Sequence, residues 1–185
     1  SLVLEPWTGM AETLVKHFAE LPNATLELKT KSSNVESLLG LDHRGKTVMS
    51  WSLNPDRIMQ EIETGTATID ERLAAARLAE SAGYRLAFHL DPVIHYEGWE
   101  AEYHGLIDRI FSTVRADSVA WISLGSFRYS PGLKPVMQTR FPDDWLTREE
   151  MVQGPDGKYR YFRTIREEMY RSIREKIQSI DRRLF

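Results

Sequence analysis

The sequence predicts an α/β fold of about four parallel βα units followed by a different carboxyl-terminal extension. Three observations carry this. Strand-like stretches recur along the first two thirds of the chain. Each is separated from the next by a connection holding its own helical segment, as right-handed βαβ crossovers require. The last third breaks the rhythm with Pro131, Pro135, Pro142 and a Gly-Pro-Asp-Gly turn at 154–157. The expected division is 1–130 for the βα body and 131–185 for the extension.

The elements follow in order. The opening SLVLEPWTGM reads as a strand leading into a loop. A helix over 10–20 is closed by Leu21-Pro22-Asn23, and 24–31 (ATLELKTK) alternates with period two. A short helix at 34–41 precedes a second strand, 47–54 (TVMSWSLN), which stops at Pro55. The clearest helix covers 69–82. Thr68 and Glu71 form a capping box before it, and Gly83 supplies a left-handed stop. Its stripe of Ile69, Leu73, Ala76 and Ala79 suits packing on a sheet. The third strand is 84–90 and the fourth 118–125, with a helix from Trp99 to about Val114 between them. Trp99 and Tyr103 share one face of that helix, Gly98 hinges its entry, and Glu97 and Glu100 suit its amino end. A final helix from about Ile165 carries Ile165, Met169, Ile173, Ile177 and Ile180 on one side.

Composition narrows the chemistry. The 185 residues are 42% hydrophobic and 28% charged, ordinary for one globular unit. The net charge of −3 excludes a uniformly basic nucleic-acid binder. From Asp156 onward, however, nine Lys/Arg face five Asp/Glu, a local +4 on a body of −7. That tail suits an anionic partner or a solvated, ion-paired helix alike. No cysteine occurs, which excludes a disulfide framework, a thiolate zinc site and a cysteine-held iron–sulfur cluster within these residues. No apolar run has transmembrane length and no signal-peptide pattern is visible, so the expectation is a soluble, cytoplasmic protein without a membrane partner.

Functional groups in barrels and open α/β sheets gather at the carboxyl ends of the strands. Here those ends offer Lys29-Thr30-Lys31, then Ser50, Ser52 and Asn54 on one face, then His89 and Asp91, then Gly125-Ser126-Phe127-Arg128. Each has a simpler reading: a solvated lysine, turn chemistry before Pro55, a hydrogen-bonded core histidine. His89, Asp91 and His95 have metal-ligand composition but no recognised ligand spacing, so no metal site is expected. Walker A, G-x-S-x-G and G-x-G-x-x-G motifs are absent from the sequence.

The blocks KTKSSNVESLLGLDHRGKTVMSWSLN, TIDERLAAARLAESAGYRLAFHLDPVIHYEGWEAEY, ISLGSFRY and QTRFP, in this order, resemble the spore photoproduct lyase family of radical S-adenosylmethionine proteins. The resemblance runs from about Leu26 to Phe141, with an echo at Gly157-Lys158-Tyr159. It implies part of a (βα)6 partial TIM barrel, and two cofactors: S-adenosylmethionine and a four-iron four-sulfur cluster on C-x-x-x-C-x-x-C. The implied reaction reverses a thymine-dimer lesion in DNA through a 5′-deoxyadenosyl radical. Lys31 matches a lysine that contacts the carboxylate of S-adenosylmethionine, and Ser52 matches a serine that also contacts it. Asn54 is a cofactor neighbour by the same likeness. His89, Asp91, His95 and Tyr96 border the barrel mouth, Arg128 meets a phosphate, and Lys158 and Tyr159 belong to a DNA-contacting hairpin. The missing cysteines put the cluster ligands upstream of Ser1, so the expectation is the carboxyl half of a longer enzyme, inactive alone. Other readings are a non-catalytic DNA-binding module, and a metallohydrolase at His89, Asp91 and His95. An exposed edge strand also predicts some self-association.

Overall fold

The computed structural model describes residues 2–143 and 145–184. The amino terminus departs from expectation. Instead of a strand, a 3-10 turn at Leu2–Leu4 leads into α1 (Glu5–Thr8) and then α2 (Met10–Ala19). The cause is local. Pro6 sits in the first turn of α1, where its missing N–H costs nothing. The buried Glu5 carboxylate accepts from the backbone N–H groups of Ala11 at 2.7 Å and Glu12 at 2.9 Å, capping α2 from the preceding helix. Gly9, at φ +56°, makes the corner between the two.

Four parallel strands follow: β1 (Leu26–Thr30), β2 (Thr47–Ser52), β3 (Arg85–Val93) and β4 (Val119–Ser126), in the spatial order β1-β2-β3-β4. Sequential order without a switch point is that of a barrel wall rather than a doubly wound sheet. The 34–41 segment holds one 3-10 turn at Glu36–Leu38. Between β2 and β3 lie α3 (Asp56–Glu61), which the sequence reading did not anticipate, and α4 (Ile69–Ser81). The Thr68–Glu71 capping box is formed and Gly83 takes φ +87°. Helix α5 (Trp99–Thr113) joins β3 to β4.

The two sheet faces differ in chemistry. On one, Leu28, Met49, Trp51, Leu86, Phe88 and Ile122 align across the strands and join the hydrophobic core with Ile69, Leu73, Ala76 and Ala79 of α4. On the other, Glu27, Lys29, Ser50, Ser52, His89 and Ser123 alternate with them toward the carboxyl ends, with Val48, Ala87 and Trp121 among them. A sheet sandwiched between two helical layers would be apolar on both faces. This one is covered by helices on one side and polar on the other, as a barrel lumen is.

β3 runs beyond its expected end, through the cis Asp91-Pro92 bond to Val93. Its register on β4 slips between Leu90 and Val93, one extra residue on β3, which is a bulge. Asp91 lies there against Gly125 of β4. A methyl on Gly125 would fall 2.5 Å from Asp91 Oδ1 and 2.7 Å from Cγ. Gly125→Ala should therefore push the partly exposed Asp91 carboxylate off this position, at a cost of about 1 kcal/mol for a side chain held away from its preferred rotamer; a urea midpoint unchanged from the wild type would contradict this.

The extension is built as β5 (Arg128–Tyr129), α6 (Leu133–Arg140), β6 (Val152–Gln153), β7 (Tyr159–Arg160) and α7 (Arg163–Ile180). Helix α6 was not foreseen; Pro135 lies within its first turn, where helices accept proline. The three short strands make an antiparallel sheet in the order β5-β7-β6. Met169, Ile173 and Ile177 of α7 are buried, whereas Ile165 is half-buried and Ile180 is 39% exposed, so the stripe loosens at both ends. Helix α7 is fastened to α5: Ser172 bonds His104 at 2.9 Å and Glu100 at 2.5 Å, and Lys176 pairs with Asp108 at 2.6 Å.

Candidate functional site

A cleft of about 350 Å³ opens at the carboxyl ends of β1 and β2, lined by Val3, Lys29, Thr30, Lys31, Ser52, Gly65 and Thr66. Its floor is set by strand register: Thr30 pairs with Trp51, so Lys31 falls beside Ser52 on the polar face. The loop after α3 closes one side, tied down where the Ala67 N–H donates to the Lys31 carbonyl at 3.2 Å.

Behind the cleft is a buried polar hub centred on Glu63. Its carboxylate accepts from Lys31 Nζ at 2.5 Å, Asn54 Nδ2 at 2.9 Å and Arg72 Nη2 at 2.8 Å. The Arg72 side chain is wholly buried, and its other donors go to the carbonyls of Ser52 at 2.9 Å and Ala67 at 2.8 Å and to Thr66 Oγ1 at 2.6 Å. Asn54 accepts from the Tyr103 hydroxyl at 2.8 Å, which itself accepts from the Ile94 N–H at 2.9 Å. Burial pushes the Tyr103 phenol well above its usual range, so it stays a donor.

Burial would raise the Glu63 carboxyl, but Lys31, Asn54 and Arg72 together hold it below its usual 4.5. Glu27 is likewise held low against desolvation by His89 and Ser50. Because both folded-state values lie below the unfolded one, their contribution is complete above about pH 4.5 and is lost as pH falls through the lowered values. Stability measured by urea unfolding should thus decline from about pH 5 downward, less steeply once Glu63 is replaced together with Arg72; equal slopes would exclude Glu63 as a source.

His89 and Glu27 face each other on the polar sheet surface, Nε2 donating to Oε1 at 2.6 Å. His89 pairs in register with Ser52, one strand from the cleft. His95 lies elsewhere: its ring is 6.3 Å from that of Trp99 and 6.0 Å from that of Tyr161, with Nδ1 3.7 Å from Glu149. His89, Asp91 and His95 therefore do not converge, and among the described residues no three His, Cys, Asp or Glu side chains are grouped to hold a metal ion. Tyr96 is buried, donates to Glu102 at 2.8 Å and lies under the Arg57 guanidinium, 5.1 Å from its ring centre. Trp99 and Tyr103 are near neighbours as expected, with ring centres 6.5 Å apart.

Arg128, Lys158 and Tyr159 gather on the small sheet. Arg128 stands opposite Arg160, and Tyr129 opposite Tyr159, whose rings stack at 5.6 Å. Lys158 and Arg128 are exposed there. Arg160 is paired with Asp156 across the turn.

The sequence reading missed Glu27, Glu63 and Arg72. For Arg72 a signal existed: three residues after Ile69, it places a charge inside the apolar stripe of α4, and a charge there requires a buried partner.

Parallel βα units with helices outside, a polar inner face and a cationic, hydroxyl-bearing cleft at the strand ends define part of a barrel-type α/β enzyme scaffold. The spore photoproduct lyase family model matches residues 1–185, and the chain belongs to that family. It is 30% identical over 145 residues to the spore photoproduct lyase of Bacillus subtilis (strain 168), covering 77% of this chain and 42% of the relative. With that of Geobacillus sp. (strain Y412MC61) it shares 30% identity over 168 residues, 86% of this chain and 48% of the relative. A spore photoproduct lyase mutant solved with bound AdoMet and dinucleoside spore photoproduct superposes with a TM-score of 0.88 at 27% identity, over 95% of this chain and 54% of the other. The chain thus spans about half the length of the proteins it matches. The expected fold, α/β with four parallel units of a partial barrel plus an extension, is the one observed. No helix among the described residues is long and apolar enough to cross a membrane.

Proposed function

We propose that this chain forms the S-adenosylmethionine-carboxylate wall and part of the lesion-binding surface of a radical enzyme that repairs DNA, and that these residues alone do not complete the reaction. The observation that carries this is Lys31 and Ser52 opening together on the cleft at the strand ends. A lysine ammonium and a hydroxyl on a half-enclosed wall suit the carboxylate of an amino-acid-like ligand. The solved relative with AdoMet and dinucleoside spore photoproduct supports the same ligand pair.

The residues present fit one cofactor and not the other. For S-adenosylmethionine, Lys31 would take the carboxylate and Ser52 a second polar contact, while Asn54 fixes Glu63 behind them. The iron–sulfur cluster finds no thiolate in a chain without cysteine, so its ligands would come from outside these residues. When bound to such a cluster, S-adenosylmethionine supplies the hydrogen-abstracting chemistry. What this chain does is bind, orient and exclude water. Arg128, Lys158 and the Tyr129–Tyr159 stack would meet a DNA strand, the cations at phosphates and the rings at bases. His89, oriented by Glu27, and Asp91 on the polar face would border the lesion, with His95 and Tyr96 shaping the loop beside it.

The test joins a cysteine-bearing amino-terminal half of a relative to this chain and reconstitutes the cluster. Reductive release of 5′-deoxyadenosine is expected from the joined protein and not from the 185 residues alone. A cluster-loaded protein that binds S-adenosylmethionine yet releases none would overturn the reading.

A further inference from the structure

Lys31, Glu63 and Arg72 form a chain of three charges, and the arithmetic is unusual for a binding wall. One carboxylate lies between two cations, at 2.5 Å and 2.8 Å. The side chain of Arg72 is 0% exposed and that of Glu63 5%, whereas Lys31 is 35% exposed. The surplus positive charge is therefore displayed at the cleft and nowhere else in the triad. Without Arg72, Lys31 and Glu63 would be a closed neutral pair, and Lys31 would have no net attraction left for an anion.

Arg72 also reaches the rest of the wall. Nη1 holds the Ser52 carbonyl, Nε holds Ala67, and Nη2 holds Thr66, which lines the cleft. It is placed by the first turn of α4, whose start is locked by the Thr68–Glu71 capping box.

We propose that Arg72 is a positioning residue for carboxylate recognition: it neutralises Glu63 from behind, leaves the Lys31 charge available to the ligand, and fixes Ser52 and Thr66 around it. This rests on the reading of the cleft as an S-adenosylmethionine site. It makes Arg72 a determinant of specificity for the carboxylate-bearing ligand, although it does not touch that ligand itself.

The experiment compares binding of S-adenosylmethionine and decarboxylated S-adenosylmethionine to the 185-residue chain, by calorimetry, in three proteins. The wild type should prefer the carboxylate-bearing ligand by about tenfold or more, the worth of a charge-assisted hydrogen bond. Arg72→Met should lose most of that preference, because Glu63 then cancels Lys31. The double variant Arg72→Met/Glu63→Gln should regain it, because Lys31 is again uncancelled. Circular dichroism confirms that each is folded; Glu63 keeps Lys31 and Asn54 in the single variant, and the double variant buries no lone charge. A structural role alone would weaken both ligands equally and would not be rescued by the second substitution. A wild type that prefers the carboxylate ligand alongside an Arg72→Met protein that still does so would overturn the inference and leave the site reading standing. A wild type that binds neither ligand, either alone or joined to the cysteine-bearing half, would overturn both.

Discussion

Glu63→Ala should destabilise the fold by roughly 3–5 kcal/mol, the cost of leaving a buried charge without its partner. Arg72 has no exposed side-chain surface, and Glu63 is the carboxylate it pairs with. Its remaining bonds to the carbonyls of Ser52 and Ala67 and to Thr66 satisfy hydrogen-bonding geometry but not charge. Lys31 is less affected, since it can turn to solvent. Against a typical domain stability of about 5–15 kcal/mol the loss is large enough to read directly in urea or thermal unfolding. Replacing both partners, Arg72→Met with Glu63→Gln, should cost much less, because no uncompensated charge is left behind. A Glu63→Ala protein unfolding within about 1 kcal/mol of wild type would show that the pair is not a net structural element.

Lys31→Met should do the reverse, sparing the fold and damaging the site. Glu63 keeps Arg72 and Asn54, and the lost Lys31–Glu63 contact is partly solvated, so little stability is at stake. The ligand carboxylate, however, would face a methyl group in place of an ammonium. Affinity for S-adenosylmethionine should fall about 10- to 100-fold, as expected for a lost hydrogen bond to a charged group. Calorimetric titration beside a urea curve separates the two effects. Unchanged affinity would remove Lys31, and with it the cleft, from the cofactor assignment.

The parts of the fold legible in the sequence are those whose signal is periodic and long. β1 declares itself by alternation, α4 by its capping box, α5 and α7 by their apolar stripes. The short helices α1, α3 and α6 were not legible as helices. Their stability comes from particular contacts, such as the Glu5 carboxylate on the first turn of α2, and not from a repeat. Site residues divide the same way. Lys31 and Ser52 follow from strand ends and alternation, and the structure brings them to one cleft. His89, Asp91 and His95 look like a set in sequence, but the bulge after Leu90 and the loop beyond it send them to different neighbours. Glu63 was invisible because its meaning depends on a guanidinium nine residues away, brought to it by the turn into α4.

All six residues of β2 are buried, and it is flanked by β1 and β3 along its length. Helix α6, by contrast, buries none of its residues, and the small sheet is joined by two-residue strands. Amide protons on β2 should then exchange with solvent only when the whole body opens and those of α7, packed on α5, should follow them, while those of α6 and the small sheet should exchange through local fraying. Ser52 and Arg72 belong to the slow part, Lys158 and Tyr159 to the fast one. In hydrogen-exchange terms the molecule should show two lifetimes, a long one for the sheet wall behind the cleft and a short one for the small sheet and α6.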